Sequence, residues 1–242
     1  MKKYIIVDGR ISKDSLRSLE ALGFSPILLP KSDSLPEPLS SHTDMVLFHH
    51  GRTLISTAEY MERHPSLFRK IKEALPHFDI RISEEKLGKS YPFDAILNAL
   101  VIGDKIFCKT DSVCREILSY AKEVGLRVIN VRQGYPACTV LPISDSFAIT
   151  SDMGMRDAMI SEGIRVLTVP ECDKILLPPY KNGFIGGSAG KDGEKIYFAG
   201  NPKALPYFNI MEEFAVEAGV ALITLDAEFC GLTDLGGLAF CE

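Results

Sequence analysis

No stretch of the 242 residues stays apolar long enough to cross a membrane, and the opening Met1-Lys-Lys-Tyr-Ile-Ile-Val-Asp is too short an apolar run for a secretory signal. Basic runs are lacking as well. The net charge is −5, which argues against nucleic acid as a partner. The six cysteines show neither CxxC spacing nor a secretory context, so they read as reduced thiols of a cytoplasmic protein. A metal site from His42, Asp44 and His49 or His50 lacks a second spaced cluster, and no metal or cofactor is expected. The stretch from Gly183 to Lys195 fails as a phosphate loop: Ile185 stands where the first Gly belongs and Asp192 follows Lys191. After the strand at Lys3 to Val7 there is only Asp8-Gly-Arg, which disfavours a Rossmann-type nucleotide binder. With 46% hydrophobic residues the chain can fill one large core, and one domain over residues 1–242 is expected.

What is present is a repeat. Phe93 to Val131 reads as a β-hairpin turning at Gly103-Asp104, a helix capped by Asp111 and closed by Gly125, and a strand from Leu126 to Val131. Four other stretches match its first eight residues in frame, beginning at Thr43, Ala137, Asn182 and Thr233. The second residues of all five stretches are Asp44, Asp94, Cys138, Gly183 and Asp234, at successive intervals of 50, 44, 45 and 51. The third unit continues through Ser146 to Thr150, a helix from Asp152 and a strand from Arg165; the fourth continues through Lys195 to Ala199, a helix from Tyr207 and a strand from Ala221. The fifth stops after its first strand. Its missing strand, helix and strand lie at the N-terminus, in Lys3 to Val7, Ser12 to Ala21 and Pro26 to Pro30. The expected fold is α/β: five ββαβ units in a closed pseudo-fivefold ring, with both termini in one unit. Lys31 to Ser41, rich in Pro and Ser, is a connector within it.

In a strand starting at His42, alternation puts His42 and Asp44 on one face, opposite His49 and His50. Two readings stand: a His-x-Asp pair handling a proton and a cationic substrate, or caps of a strand end. Asp94 and Asn98 offer ligand contacts near the ring centre or ordinary cross-strand bonds. Cys138 occupies a slot that is Asp in three other units and reads as a nucleophile or as a core thiol. Gly186 and Gly187 permit close backbone approach to a ligand or to the neighbouring unit, before a hairpin turn at Gly190 to Gly193.

Five such units, a last unit built from both ends and the Gly236-Gly237 strand resemble the pentein fold of the guanidino-group modifying superfamily, in an uncharacterised bacterial branch. The resemblance implies α/β propeller architecture and a hydrolase or amidino-group modifying enzyme acting on a small molecule; a ribosome anti-association factor of the same fold is non-catalytic. The family's enzymes use His-x-Asp in the third unit, a Cys opening the fifth, and acids elsewhere that grip a guanidinium. Here the third unit lacks His-x-Asp and the fifth has Asp234 at the strand start, with Cys241 seven residues on. A rotated site restores the spacing, since Cys138 to His42-x-Asp44 is three units forward around a ring of five. It implies Cys138 as nucleophile, His42 as acid and base, and Asp44 and Asp234 holding a cation, with one acid missing at Gly183. The alternative is a non-catalytic pentein that binds a partner or ligand at the ring mouth.

Overall fold

A computed structural model describes residues 3–241. The N-terminal β1 (Lys3–Asp8), α1 (Lys13–Ala21) and β2 (Phe24–Leu29) are followed by α2 (Thr43–Val46), β3 (Phe48–His50), β4 (Thr53–Thr57), α3 (Ala58–Arg63), α4 (Pro65–Ala74) and β5 (Asp79–Ser83). Next come β6 (Leu100–Ile102), β7 (Lys105–Cys108), α5 (Arg115–Glu123) and β8 (Arg127–Asn130), then α6 (Pro136–Thr139), β9 (Val140–Ser144), β10 (Phe147–Thr150), α7 (Met153–Ser161) and β11 (Arg165–Thr168). The last part holds β12 (Ile175–Leu176), β13 (Ala189–Asp192), β14 (Lys195–Phe198), α8 (Phe208–Glu217), β15 (Ala221–Thr224), β16 (Leu232–Thr233) and β17 (Ala239–Cys241).

Among the described residues the strands form five three-stranded sheets of one pattern, plus a two-stranded parallel sheet of β12 and β16 that the repeat does not foresee. In each of the five, a middle strand pairs antiparallel with one neighbour and parallel with the other: β3-β4-β5, β6-β7-β8, β9-β10-β11, β13-β14-β15 and β17-β1-β2. The parallel partner is reached through a helix, as a parallel crossover requires. Three of the hairpins turn at Gly51, Gly103 and Gly193, each at positive φ; the fourth-unit turn is thus Gly193-Glu194, with Gly190 already inside β13. The middle strands are buried (Ile5, Ile6 and Val7; Leu54 and Ile55; Ile106 and Phe107; Ala148 and Ile149; Ile196 and Phe198), and the helices add Leu19, Ile71, Ile117, Met155 and Met211 to the core. No helix among the described residues is long and apolar enough to cross a membrane.

Helix boundaries follow their signals. Side chains of Ser12, Thr57 and Asp152 accept from the backbone N–H groups of Ser15, Tyr60 and Met155. Asp111 does not cap α5. Val113 N–H closes a separate turn on the Lys109 carbonyl, Asp111 pairs with Lys109, and α5 begins at Arg115, whose N–H is taken by Glu85. A second departure bears on the site. The segments read as the starts of first strands are helical turns at Thr43–Val46, Pro136–Thr139 and Gly186–Ser188, and turns through Asp94 to Asn98; the ladders begin only at Phe48, Leu100, Val140, Ala189 and Ala239. Leu47 N–H bonds the Thr43 carbonyl and Thr139 N–H the Tyr135 carbonyl, so these groups are satisfied locally. Short apolar runs do not distinguish strand from helix by periodicity, and tertiary packing decided here.

The two ends of the chain meet where Ile5 lies opposite Phe240 and Ile6 opposite Ala239. Phe240 packs on Phe24 and Tyr197, each at 5.0 Å between ring centroids, and joins this sheet to that of β14. Phe240→Ala is expected to cost about 3–5 kcal/mol, the range for a buried aromatic removed from a core. Urea denaturation checks this; an unchanged midpoint would show that the seam contributes nothing.

Candidate functional site

The α2 turn is held against the C-terminal segment by backbone bonds: Thr43 N–H donates to the Leu235 carbonyl (3.1 Å) and Asp44 N–H to the Gly236 carbonyl (3.0 Å). Gly236 is at φ +68°, and a Cβ there would run into Asp44 Oδ1. On a helical turn successive side chains are about 100° apart, so residues 42 and 44 diverge instead of sharing a face. Asp44 goes to the thiol: Cys138 Sγ donates to Asp44 Oδ2 at 2.6 Å. Asn98 braces both, with Nδ2 2.9 Å from Asp44 Oδ2 and 3.5 Å from Cys138 Sγ. The amide orientation is set by its other end, where Asn98 Oδ1 accepts from Ala137 N–H at 2.9 Å. Residues from three units therefore meet in one group.

His42 turns the other way. Its Nε2–H donates to the Asp234 carbonyl at 3.1 Å, which leaves Nδ1 as a bare acceptor 4.0 Å from Asp234 Oδ1 and without a hydrogen bond. No hydrogen bond joins His42 to Cys138 among the described residues. Asp234 accepts from Phe184 N–H (2.8 Å) and Gly236 N–H (3.1 Å). The empty slot at Gly183 has a physical reason: a Cβ there would sit 2.5 Å from Cβ of Asp234, which fills the space. Gly187 likewise makes room for the Asp234 carboxylate, while a side chain at Gly186 would run into the Val140 and Ala137 carbonyls. Both glycines serve contact with neighbouring segments, and Gly186 also lines the cavity described below.

Asp94 stands slightly apart. Tyr135 donates to its Oδ2 at 2.9 Å, and its Oδ1 is buried without a partner, as is Asp44 Oδ1. Tyr135 was not among the residues singled out from sequence, and neither was Asp8. That carboxylate is wholly buried, bonded by Arg10 and, at 2.7 Å, by the Ser41 hydroxyl beside His42. The Asp8-Gly-Arg turn, read only for what it lacked, was the available signal. Cys241, the other thiol of interest, lies in β17 opposite Tyr4, and burial pushes it up to about 12.

Burial, partly opposed by the bonds from Cys138 and Asn98, raises Asp44 to about 7. Burial first, then the Asp44 and Asp234 charges, pushes Cys138 well above an ordinary thiol. Burial also raises Asp234 and Asp94 and lowers His42. At rest the thiol is protonated and the imidazole neutral, facing an excess of buried acid. A cavity of ≈ 330 Å³ has Asp44, Ala137, Gly186 and Gly236 along its inner end and draws its walls from all five first-strand segments. No group of three or more His, Cys, Asp or Glu side chains suited to a metal ion occurs among the described residues.

A family model described as a family of unknown function (DUF6873) matches residues 6–239. No curated protein matches. Among solved structures the chain is similar to DDAH from Pseudomonas aeruginosa complexed with citrulline (TM-score 0.52, 12% identity, 96% of each chain covered). It is also similar to SxtG, an amidinotransferase from Microseira wollei (TM-score 0.56, 12% identity, 96% of this chain and 94% of that one). A third is the agmatine deiminase of C. jejuni (TM-score 0.56, 10% identity, 94% and 88% covered). All three are penteins, and at such identities the likeness shows the α/β fold they share.

Asp44 yields a pH test. Its carboxyl holds a proton up to about 7 in the folded protein against 3.8 ordinarily, so between those values the folded state binds more protons than the unfolded. Stability contributed by this group therefore falls as pH rises from about 4 to about 7. His42, lowered, contributes the opposite slope below its ordinary 6.5, so the informative quantity is the difference between variant and wild type. Asp44→Asn keeps the shape and the acceptor for Cys138; its stability relative to wild type should rise between pH 4.5 and pH 8 by an amount on the order of 1–3 kcal/mol. A difference that is flat across this range in denaturation curves would remove the raised carboxyl.

Proposed function

The chain belongs to the DUF6873 family, and from that membership, the pentein fold and the site we propose a thiol-dependent hydrolase that cleaves a C–N bond of a small cationic, amidine-bearing substrate. The observation that carries this reading is the 2.6 Å bond from Cys138 Sγ to Asp44 Oδ2, with Asn98 on both partners. It makes Asp44, raised to about 7, a base matched to neutral pH and already in contact with the proton it has to take. The reading includes a closed ring of five units, supported by the five segments that line one cavity and by the β1–β17 pairing. It also takes residues 1–242 as one domain and the six unpaired cysteines as those of a cytoplasmic, bacterial protein.

In this mechanism an amidinium binds among Asp44, Asp94 and Asp234. Asp94 Oδ1 and His42 Nδ1, both unpartnered, accept its N–H groups. The thiol proton passes to Asp44, and the thiolate adds to the amidinium carbon. The C–N bond then breaks, and the departing amine takes the proton from Asp44. Water, deprotonated by Asp44, adds to the same carbon; the C–S bond breaks, its electron pair returns to sulfur, and Cys138 is reprotonated. His42 serves here as an acceptor beside Asp234 and not as the proton carrier that the His-x-Asp spacing suggests.

A second reading rests on one observation, that Cys138 is 4% exposed and held protonated by burial and two carboxylates. The same acids then bind a cationic ligand without chemistry. Labelling separates the two. With a hydrolase, 2-chloroacetamidine alkylates Cys138 of the native protein at least about tenfold faster than neutral iodoacetamide, and Asp44→Asn abolishes the preference. Cys138 labelled by neither reagent until the protein unfolds would leave the binding reading in possession.

A further inference from the structure

The cavity does more than end at Asp44. Its walls are the apolar and small side chains of Ala99, Leu141, Ala189, Leu238 and Ala239, and its far end is bounded by Val101, His49, His50, Lys191 and the exposed Gly51. It thus runs from the site along the first strands of the sheets to the surface where those strands end. Its ≈ 330 Å³ is far above the roughly 10–15 Å³ that admits one water.

The two ends differ in charge. At the outer rim, His49 Nε2–H donates to the Gly51 carbonyl and burial holds the ring down to about 4, while His50 Nδ1 meets the Tyr120 hydroxyl at 2.7 Å and is lowered as well. Lys191 is therefore the charge at the rim. A cation entering here meets a like charge and then a mostly apolar wall that solvates it poorly. Water and other small uncharged molecules meet neither barrier. At the inner end stands Asp44, with Oδ1 unpartnered.

We propose that this bore is a second way into the site, carrying water in and an uncharged amine or ammonia out between solvent and the Cys138–Asp44 pair. The inference rests on the reading of Cys138 as a reactive thiol and adds a division of labour to it. None of Asp94, Asp234, His42 and Cys138 lines the bore, so on that reading the substrate is held on the other side of the pair. The base that has to deprotonate water lines the bore.

Val101 and Lys191 are only partly buried and take no part in the chemistry. Val101→Trp and Lys191→Trp narrow the rim from different strands, and both should melt as wild type does. Each is treated at neutral pH with hydrogen peroxide, which converts the Cys138 thiol to sulfenic acid with release of water, and separately with the cation 2-chloroacetamidine; modification of Cys138 is followed by peptide mapping. The bore predicts that both variants slow peroxide by about tenfold or more and leave the cationic reagent within about twofold of wild type. Peroxide rates unchanged in both variants would overturn the route while leaving the thiol reading intact. Equal slowing with both reagents would overturn its restriction to uncharged molecules. A Cys138 inert to both reagents in the wild type would remove the thiol reading and the bore's role with it.

Discussion

A carboxylate taken out of water costs several kcal/mol unless something replaces its hydration, and this chain buries Asp8, Asp94 and Asp234 almost wholly and most of Asp44. Much of the local architecture answers that cost. Asp8 has Arg10 and Ser41; Asp234 has two backbone N–H groups and the hollow left by Gly183 and Gly187. Asp44 has Cys138 and Asn98 on one oxygen and nothing on the other, and Asp94 has Tyr135 on one oxygen only. The unanswered part of the cost is concentrated beside a thiol. A fold has no stability reason to leave acceptors bare there, whereas a binder of cations does.

The repeat was legible because it is written in period and punctuation. Phe93 to Val131 announces its unit through Gly103, Gly125 and the strand after them, and the same signs recur wherever a hairpin or helix ends, at Gly163 and Gly219. Those signs are local and need no tertiary knowledge. The half-unit at each end was found the same way, and β17 beside β1 is its outcome. What the pattern did not carry was the state of four or five residues ahead of each first strand. Thr43-Asp-Met-Val and Pro-Ala-Cys-Thr mix β-branched residues with helix formers such as Met45 and Ala137, and the one positional helix signal is Pro136, whose ring suits the first helical position.

That small error has a large consequence for the site. Reading Thr43–Val46 as strand puts His42 and Asp44 side by side; as a helical turn it sends Asp44 to Cys138 and His42 to the Asp234 carbonyl. The residues chosen from the frame of the repeat still lie close together, since Asp44, Asn98, Cys138, Asp234 and His42 are linked by contacts or shared partners. Their roles are a finer matter. Roles depend on a rotation of about 100° per residue, which spacing in sequence does not encode without the backbone state. Tyr135 and Asp8 escaped for a different reason: each matters through a partner far away in sequence, Asp94 and Ser41.

The pairing of thiol and acid also bears on selectivity. Asp44 and Cys138 share one proton across 2.6 Å, and ionising both at once places two negative charges in contact within a buried site. A positive substrate relieves this repulsion, lowering the thiol toward neutrality in the act of binding. A neutral molecule of the same shape gives no such relief, and the sulfur in front of it stays protonated. In such a site substrate charge does two jobs, affinity and activation. On the proposed reading, the high resting position of the Cys138 thiol slows sulfur toward uncharged reagents, peroxide included, until a cation is seated.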